Sequence, residues 1–63
     1  MANDIDIFRA ELRKELMQMR NPANGKRTWT DAQVNGMMKI NDANLEYLMK
    51  INTAKQLAET WSL

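Results

Sequence analysis

The stretch WTDAQVNGMMKINDANLEYLMK, residues 29–50, decides how this chain folds. It opens with a strong helix-start signal, because Thr30 and Gln33 stand at the two positions of a capping box. Trp29 and Val34 stand at the two positions of a hydrophobic staple, which fixes the direction in which the chain enters a helix. The sequence therefore predicts a helix that begins directly after Thr30.

The rest of this stretch fits two interpretations. As one continuous helix it has a seam at alternating steps of four and three, made of Val34, Met38, Asn41, Leu45, Leu48 and Asn52. As a broken pattern, Asn41 caps a new helix, and Ile40 with Leu45 forms a second staple. We predict the break near Asn41, because asparagine is a poor interior helix residue and a good cap. A further break at Asn52 and Thr53 is less favoured.

Upstream, apolar residues recur at steps of three and four and form one helical stripe. They are Ile5, Phe8, Leu12, Leu16 and Met19. Pro22 disfavours the helical conformation for the residue before it, so we expect this helix to span residues 4–20. The Asn24-Gly25 pair favours a turn with positive φ, and residues 21–29 are expected to form a loop.

Together these segments predict a single all-α domain over residues 1–63. We favour a small three-helix domain with helices over 4–20, 31–40 and 42–61. The alternative is a two-helix hairpin whose long second helix, residues 31–61, would dimerise to cover its second apolar face.

Composition limits the chemistry of the chain. Its 63 residues include neither cysteine nor histidine. This removes disulfides, thiol nucleophiles, and the commonest general base and metal ligand. A chain of this length barely builds one hydrophobic core and has little left for a substrate cleft. We therefore expect no enzyme activity and no cofactor, metal or small-molecule substrate.

Two features bear on where the chain works. No apolar run approaches the roughly 18 residues that a membrane-spanning helix needs. Residues 1–8 are acidic and lack the basic and apolar regions of a signal peptide. We expect a cytoplasmic protein with no membrane contact.

The net charge of +1 conceals an uneven distribution. Residues 9–27 carry six basic and two acidic side chains, and Lys26 and Arg27 adjoin in the predicted loop. This basic segment is the feature that could attract an acidic partner or a polyanion.

Within the broken pattern, apolar residues recur at Val34, Met38, Ile40, Leu45 and Leu48, and Asn41 caps the second helix. In these features residues 31–50 resemble a helix-turn-helix of the phage-repressor type. The resemblance implies that residues 42–50 form a recognition helix that enters the major groove. The residues it would turn to DNA are Asn41, Asp42, Ala43, Asn44, Tyr47 and Lys50, flanked by Lys26 and Arg27.

The charge of this segment makes DNA binding a less favoured function than protein interaction. Residues 41–50 carry a net charge of −1, whereas DNA binders contact phosphates through several lysines and arginines. Tryptophan and tyrosine are frequent interface anchors, although in so small a protein they also serve as core. We expect a non-enzymatic protein-interaction module, an accessory subunit or inhibitor that docks a helical face on a larger protein, or one that self-associates. The expected contact residues are Trp61, Tyr47, Ile51, Lys26 and Arg27.

Overall fold

The computed structural model describes residues 3–63, so residues 1–2 of the predicted domain lie outside the described part. Its four α-helices are α1 (Asp4–Gln18), α2 (Asp31–Met37), α3 (Asp42–Ile51) and α4 (Ala54–Trp61). No β-strand occurs in residues 3–63. The prediction of a small all-α fold is confirmed, with four helices rather than three.

Helix α1 is the centre of the fold, because each of the other three helices packs against it. Its predicted apolar stripe is confirmed: Phe8, Leu12 and Leu16 are buried, and Ile5 and Met19 pack at the edge of the core. The other buried residues are Val34 from α2, Leu45 from α3, and Ala54, Leu57 and Ala58 from α4. The stripe of α1 is therefore the common surface on which the other helices assemble.

The loop after α1 begins earlier than predicted, because α1 ends at Gln18 rather than at residue 20. The next residues pair with the far side of the loop instead of continuing the helix. The Thr28 N–H donates to the Met19 carbonyl at 3.0 Å, and Arg20 and Arg27 form an isolated antiparallel bridge. The expected turn with positive φ is confirmed at Gly25, where φ is 69°.

Helix α2 starts as predicted and ends three residues early. The Gln33 N–H donates to Thr30 Oγ1 at 3.1 Å, and the Thr30 N–H donates to Gln33 Oε1 at 2.8 Å, which completes the capping box. The predicted end at residue 40 is wrong, since the helix ends at Met37. Residues 38–40 form a tight turn, in which the Lys39 N–H donates to the carbonyl three residues earlier.

The predicted break near Asn41 is confirmed. Asn41 has an extended backbone, and its Oδ1 accepts the Asn44 N–H at 2.8 Å, so it is the N-cap of α3. The alternative of one long helix over residues 31–61 is therefore wrong.

The predicted single helix over residues 42–61 is wrong, because the chain breaks at Asn52 and Thr53, where the sequence favours a break less than at Asn41. Asn52 is extended, with φ −142° and ψ 151°, and Thr53 caps the new helix α4. Gln56 completes a second capping box, with hydrogen bonds of 3.1 and 2.9 Å between the two residues. The change of direction lets Ala54, Leu57 and Ala58 pack into the core with α1.

The side chain of Arg9 joins α1 to the turn between α2 and α3. Its Nη1 donates to the carbonyls of Met38 and Ile40 at 2.7 and 2.8 Å. Its Nη2 donates to Asp42 Oδ1 at 2.7 Å. The first two bonds satisfy carbonyls left free where α2 ends, and the third binds the first residue of α3.

We expect Thr53→Ala to lower the free energy of unfolding by about 1 kcal/mol, because the variant loses the oxygen that caps α4. If the chain were helical through residue 53, the same change would stabilise it, since alanine is the best helix former. Urea denaturation shows whether Thr53→Ala lowers or raises the free energy of unfolding. Thr60→Ala, inside α4, is the matched control and should be neutral or slightly stabilising.

We expect Arg9→Ala to destabilise the fold by about 1.5–3 kcal/mol, because it removes charged hydrogen bonds to two backbone carbonyls. Asp42→Ala should cost less than about 1 kcal/mol, since that carboxylate is largely exposed. Arg13→Ala, which removes one exposed bond to Asn35, is the control for losing an arginine on α1. Equal losses for Arg9→Ala and Asp42→Ala in chemical denaturation would contradict the role of the carbonyl bonds.

Candidate functional site

The surface of residues 3–63 has an open apolar groove of about 550 Å³, which we call the tryptophan groove. Its lining residues are Trp29, Gly36, Met37, Lys39, Ile40 and Trp61. The two indole rings come from positions 32 residues apart in the chain, one before α2 and one in the last turn of α4. The fold therefore brings together two large aromatic side chains at a single open surface.

Local structure explains how each tryptophan reaches the groove. Trp29 directly precedes the N-cap of α2, at the staple position, and Val34 of that staple is fully buried. Trp61 is carried there by α4, whose direction is set by the Thr53 cap. Both rings are half-buried and pack against the edge of the core. Trp29 Nε1 is buried and has no hydrogen-bond partner among the described residues.

The remaining predicted protein-binding residues lie outside this groove. Tyr47 and Ile51 are one turn apart on α3, with 64% and 59% of their surfaces exposed. Lys26 and Arg27 are exposed in the loop between α1 and α2. Trp61 alone of the five lines the tryptophan groove, so the structure distributes the predicted site over three places.

Most basic side chains of residues 9–27 form hydrogen bonds or ion pairs within the fold. Besides Arg9, Arg13 donates to Asn35 Oδ1 at 2.7 Å, and Arg20 donates to a loop carbonyl at 3.0 Å. Arg27 Nη1 lies 2.7 Å from Asp31 Oδ1. Most of the positive charge on residues 9–27 therefore already has acceptors within this chain.

The residues expected to contact DNA are exposed at and beyond the start of α3. Helices α2 and α3 are joined by the short turn at residues 38–41. Several side chains have partners in the fold: Asn41 caps the helix, Asp42 binds Arg9, and Lys50 Nζ lies 3.7 Å from Glu46 Oε1.

Four residues that line or support the groove are not among the site residues predicted from the sequence. Trp29, Gly36 and Lys39 line the groove, and Arg9 holds the turn beside it. The sequence pattern gives Trp29 a role in the staple only. Arg9 lies beside the apolar stripe of α1, but its partners are 29 to 33 residues away. A glycine inside a helical pattern is a usable signal at Gly36, since it weakens a helix without an obvious reason.

No family model, curated protein or solved structure matches this chain. Among residues 3–63, no group of three acidic, histidine or cysteine side chains is placed to hold a metal ion. None of the described helices is long and apolar enough to cross a bilayer. Any proposal about the function therefore rests on the surface features described above.

Proposed function

We propose that this protein is a small, non-enzymatic interaction module that docks on a larger protein. The observation that carries the proposal is the meeting of Trp29 and Trp61 at one open apolar groove. Tryptophan is enriched among the few residues that dominate binding energy, and such anchors work in pockets from which water is excluded. The proposed setting is the cytoplasm, which rests on the sequence alone.

The exposed face of α3 supports the same proposal. Tyr47 and Ile51 place a large aromatic and a large aliphatic side chain on the surface, one turn apart. A standard interface covers about 800 Å² on each partner. The accessible surface of this chain is 4601 Å², so one ordinary interface would cover roughly a sixth of it.

A second candidate is a helix-turn-helix DNA-binding regulator. The observation in its favour is the order α2, short turn, α3, with Asn44 and Tyr47 exposed on the second helix. Its charges weigh against it. DNA binding draws on lysines and arginines free to meet phosphates, whereas Arg9, Arg13 and Arg27 already bind acceptors in this chain.

We expect Trp61→Ala to weaken capture of the partner from host lysate by at least about tenfold, because it removes one wall of the groove. Far-UV circular dichroism checks that the helices persist. Ile7→Ala is the matched control, because Ile7 is an exposed apolar residue on α1 that does not line the groove. If Trp61→Ala unfolds, Trp61→Phe provides the comparison instead, because it replaces the indole with a smaller aromatic ring and removes less of the core contact.

Nuclease treatment of the lysate separates the two candidates. Capture that survives nuclease and depends on Trp61 supports docking on a protein. Capture that nuclease abolishes, together with salt-sensitive retention on duplex DNA that Asn44→Ala and Tyr47→Ala weaken, would favour the DNA-binding regulator instead. Capture that Trp61→Ala and Ile7→Ala affect equally would count against the groove.

A further inference from the structure

Gly36 is a helical residue that neither its backbone conformation nor its contacts within residues 3–63 require to be glycine. It lies inside α2, and its backbone does not adopt the positive φ that favours glycine, since Gly25 alone does so in residues 3–63. Apart from its chain neighbours and the backbone of its own helix, a Cβ atom added at Gly36 would meet no atom within 4 Å. Alanine would make a more stable helix there, so the fold accepts a weaker residue without a packing reason.

The position of Gly36 indicates that an approaching molecule, and not a contact within the chain, is the reason for glycine there. Gly36 lines the tryptophan groove together with Met37 and the two tryptophans, and because it has no side chain its backbone is exposed at the groove surface. Glycine is favoured where another backbone or a ligand must approach closely. Met37 adds an unbranched, adaptable side chain, which suits a surface that receives another molecule.

The charge of the groove indicates which kind of partner would bind there. Lys39 is its single charged lining residue, and the other lining residues are apolar or glycine. No carboxylate in residues 3–63 lies within ion-pair distance of the Lys39 ammonium group. A partner that places an acidic side chain beside its apolar anchors would complement both properties.

We propose that the tryptophan groove receives the apolar face of an acidic amphipathic helix from the partner protein. Gly36 is the point of closest approach, and Lys39 pairs with a carboxylate on the flank of that helix. This inference rests on the proposed docking function and names the partner's chemistry.

A helical partner fits the groove better than an extended one. Strand addition needs the free edge of a sheet, and residues 3–63 contain no strand, only the isolated bridge in the loop after α1. Helix-in-groove recognition instead uses apolar anchors spaced one turn apart, which a groove lined by α2, its turn and the end of α4 can accept.

A second copy of the chain is a poorer occupant. Helix α3 exposes two large apolar residues one turn apart, Tyr47 and Ile51, and is the helix of residues 3–63 that comes nearest to the proposed occupant. Its carboxylates already have partners within the chain, because Asp42 binds Arg9 and Glu46 lies 3.7 Å from Lys50. A separate partner helix can offer Lys39 a carboxylate that is not already paired.

The test uses a display library of helix-forming peptides of about four turns, with randomised residues on one face and its flanks. Selection is carried out on the full protein, and the enriched peptides are measured on Gly36→Ala, Gly36→Leu and Lys39→Glu. Ala32→Leu is the matched control, because it enlarges an exposed residue of α2 that does not line the groove.

We expect the enriched peptides to carry apolar residues at helical spacing with flanking aspartate or glutamate. Gly36→Ala should raise the melting temperature and still weaken peptide binding at least tenfold, and Gly36→Leu should weaken it further. Lys39→Glu should weaken binding by a similar factor, whereas Ala32→Leu should leave it unchanged. A gain in stability together with a loss of binding is a pair of signs that misfolding cannot produce.

Other outcomes overturn the inference in distinguishable ways. Enrichment of basic or proline-rich peptides, or binding that depends on Trp61 but not on Gly36, refutes the acidic helix and leaves docking through the groove in place. Concentration-dependent dimerisation that Gly36→Leu abolishes assigns the groove to a second copy. Partner capture that neither Gly36→Leu nor Trp61→Ala affects refutes both the inference and the groove's role in docking.

Discussion

The hydrogen bonds of the Arg9 guanidinium are the constraint on which the placement of α2 and α3 on α1 depends. Helices α2 and α3 each contribute one fully buried side chain, Val34 and Leu45, to the core. Burying one such residue contributes about 1.5–3 kcal/mol, but apolar contact has no direction and leaves the angle of a short helix undetermined. The bonds from Arg9 to the Met38 and Ile40 carbonyls are directional, so they hold the turn at one place on α1.

The helices could be predicted wherever a cap and a stripe agreed. Thr30 and Asn41 were identified as caps, because each carries its signal within four residues of sequence. The sequence favours a break at Thr53 less than one at Asn41, because an apolar face continues across Thr53. Yet Thr53 and Gln56 repeat the capping-box pattern of α2. Periodicity describes a straight helix and a bent one equally well, so the hydrogen bonds of the cap decided between them.

The candidate site was harder to predict than the fold, for a different reason. Trp61 was recognised as a possible anchor from its residue type, but its neighbours in the groove could not be. Trp29 and Trp61 meet only after α4 has turned back on α1, which depends on tertiary contacts. Likewise, the basic segment suggested a free positive surface until the structure showed Arg9 and Arg27 bound to carboxylates.

The shortness of α2 has a consequence for the motions of the protein. It has seven residues and one buried side chain, and the side-chain hydrogen bond that joins it to α1, from Arg13 to Asn35, is exposed. A segment built this way opens locally at a lower free energy than the core around Leu12 and Leu57. Since α2 and its turn carry most of the groove, such an opening would remake the groove without unfolding the domain, and hydrogen exchange at its amides would follow that motion.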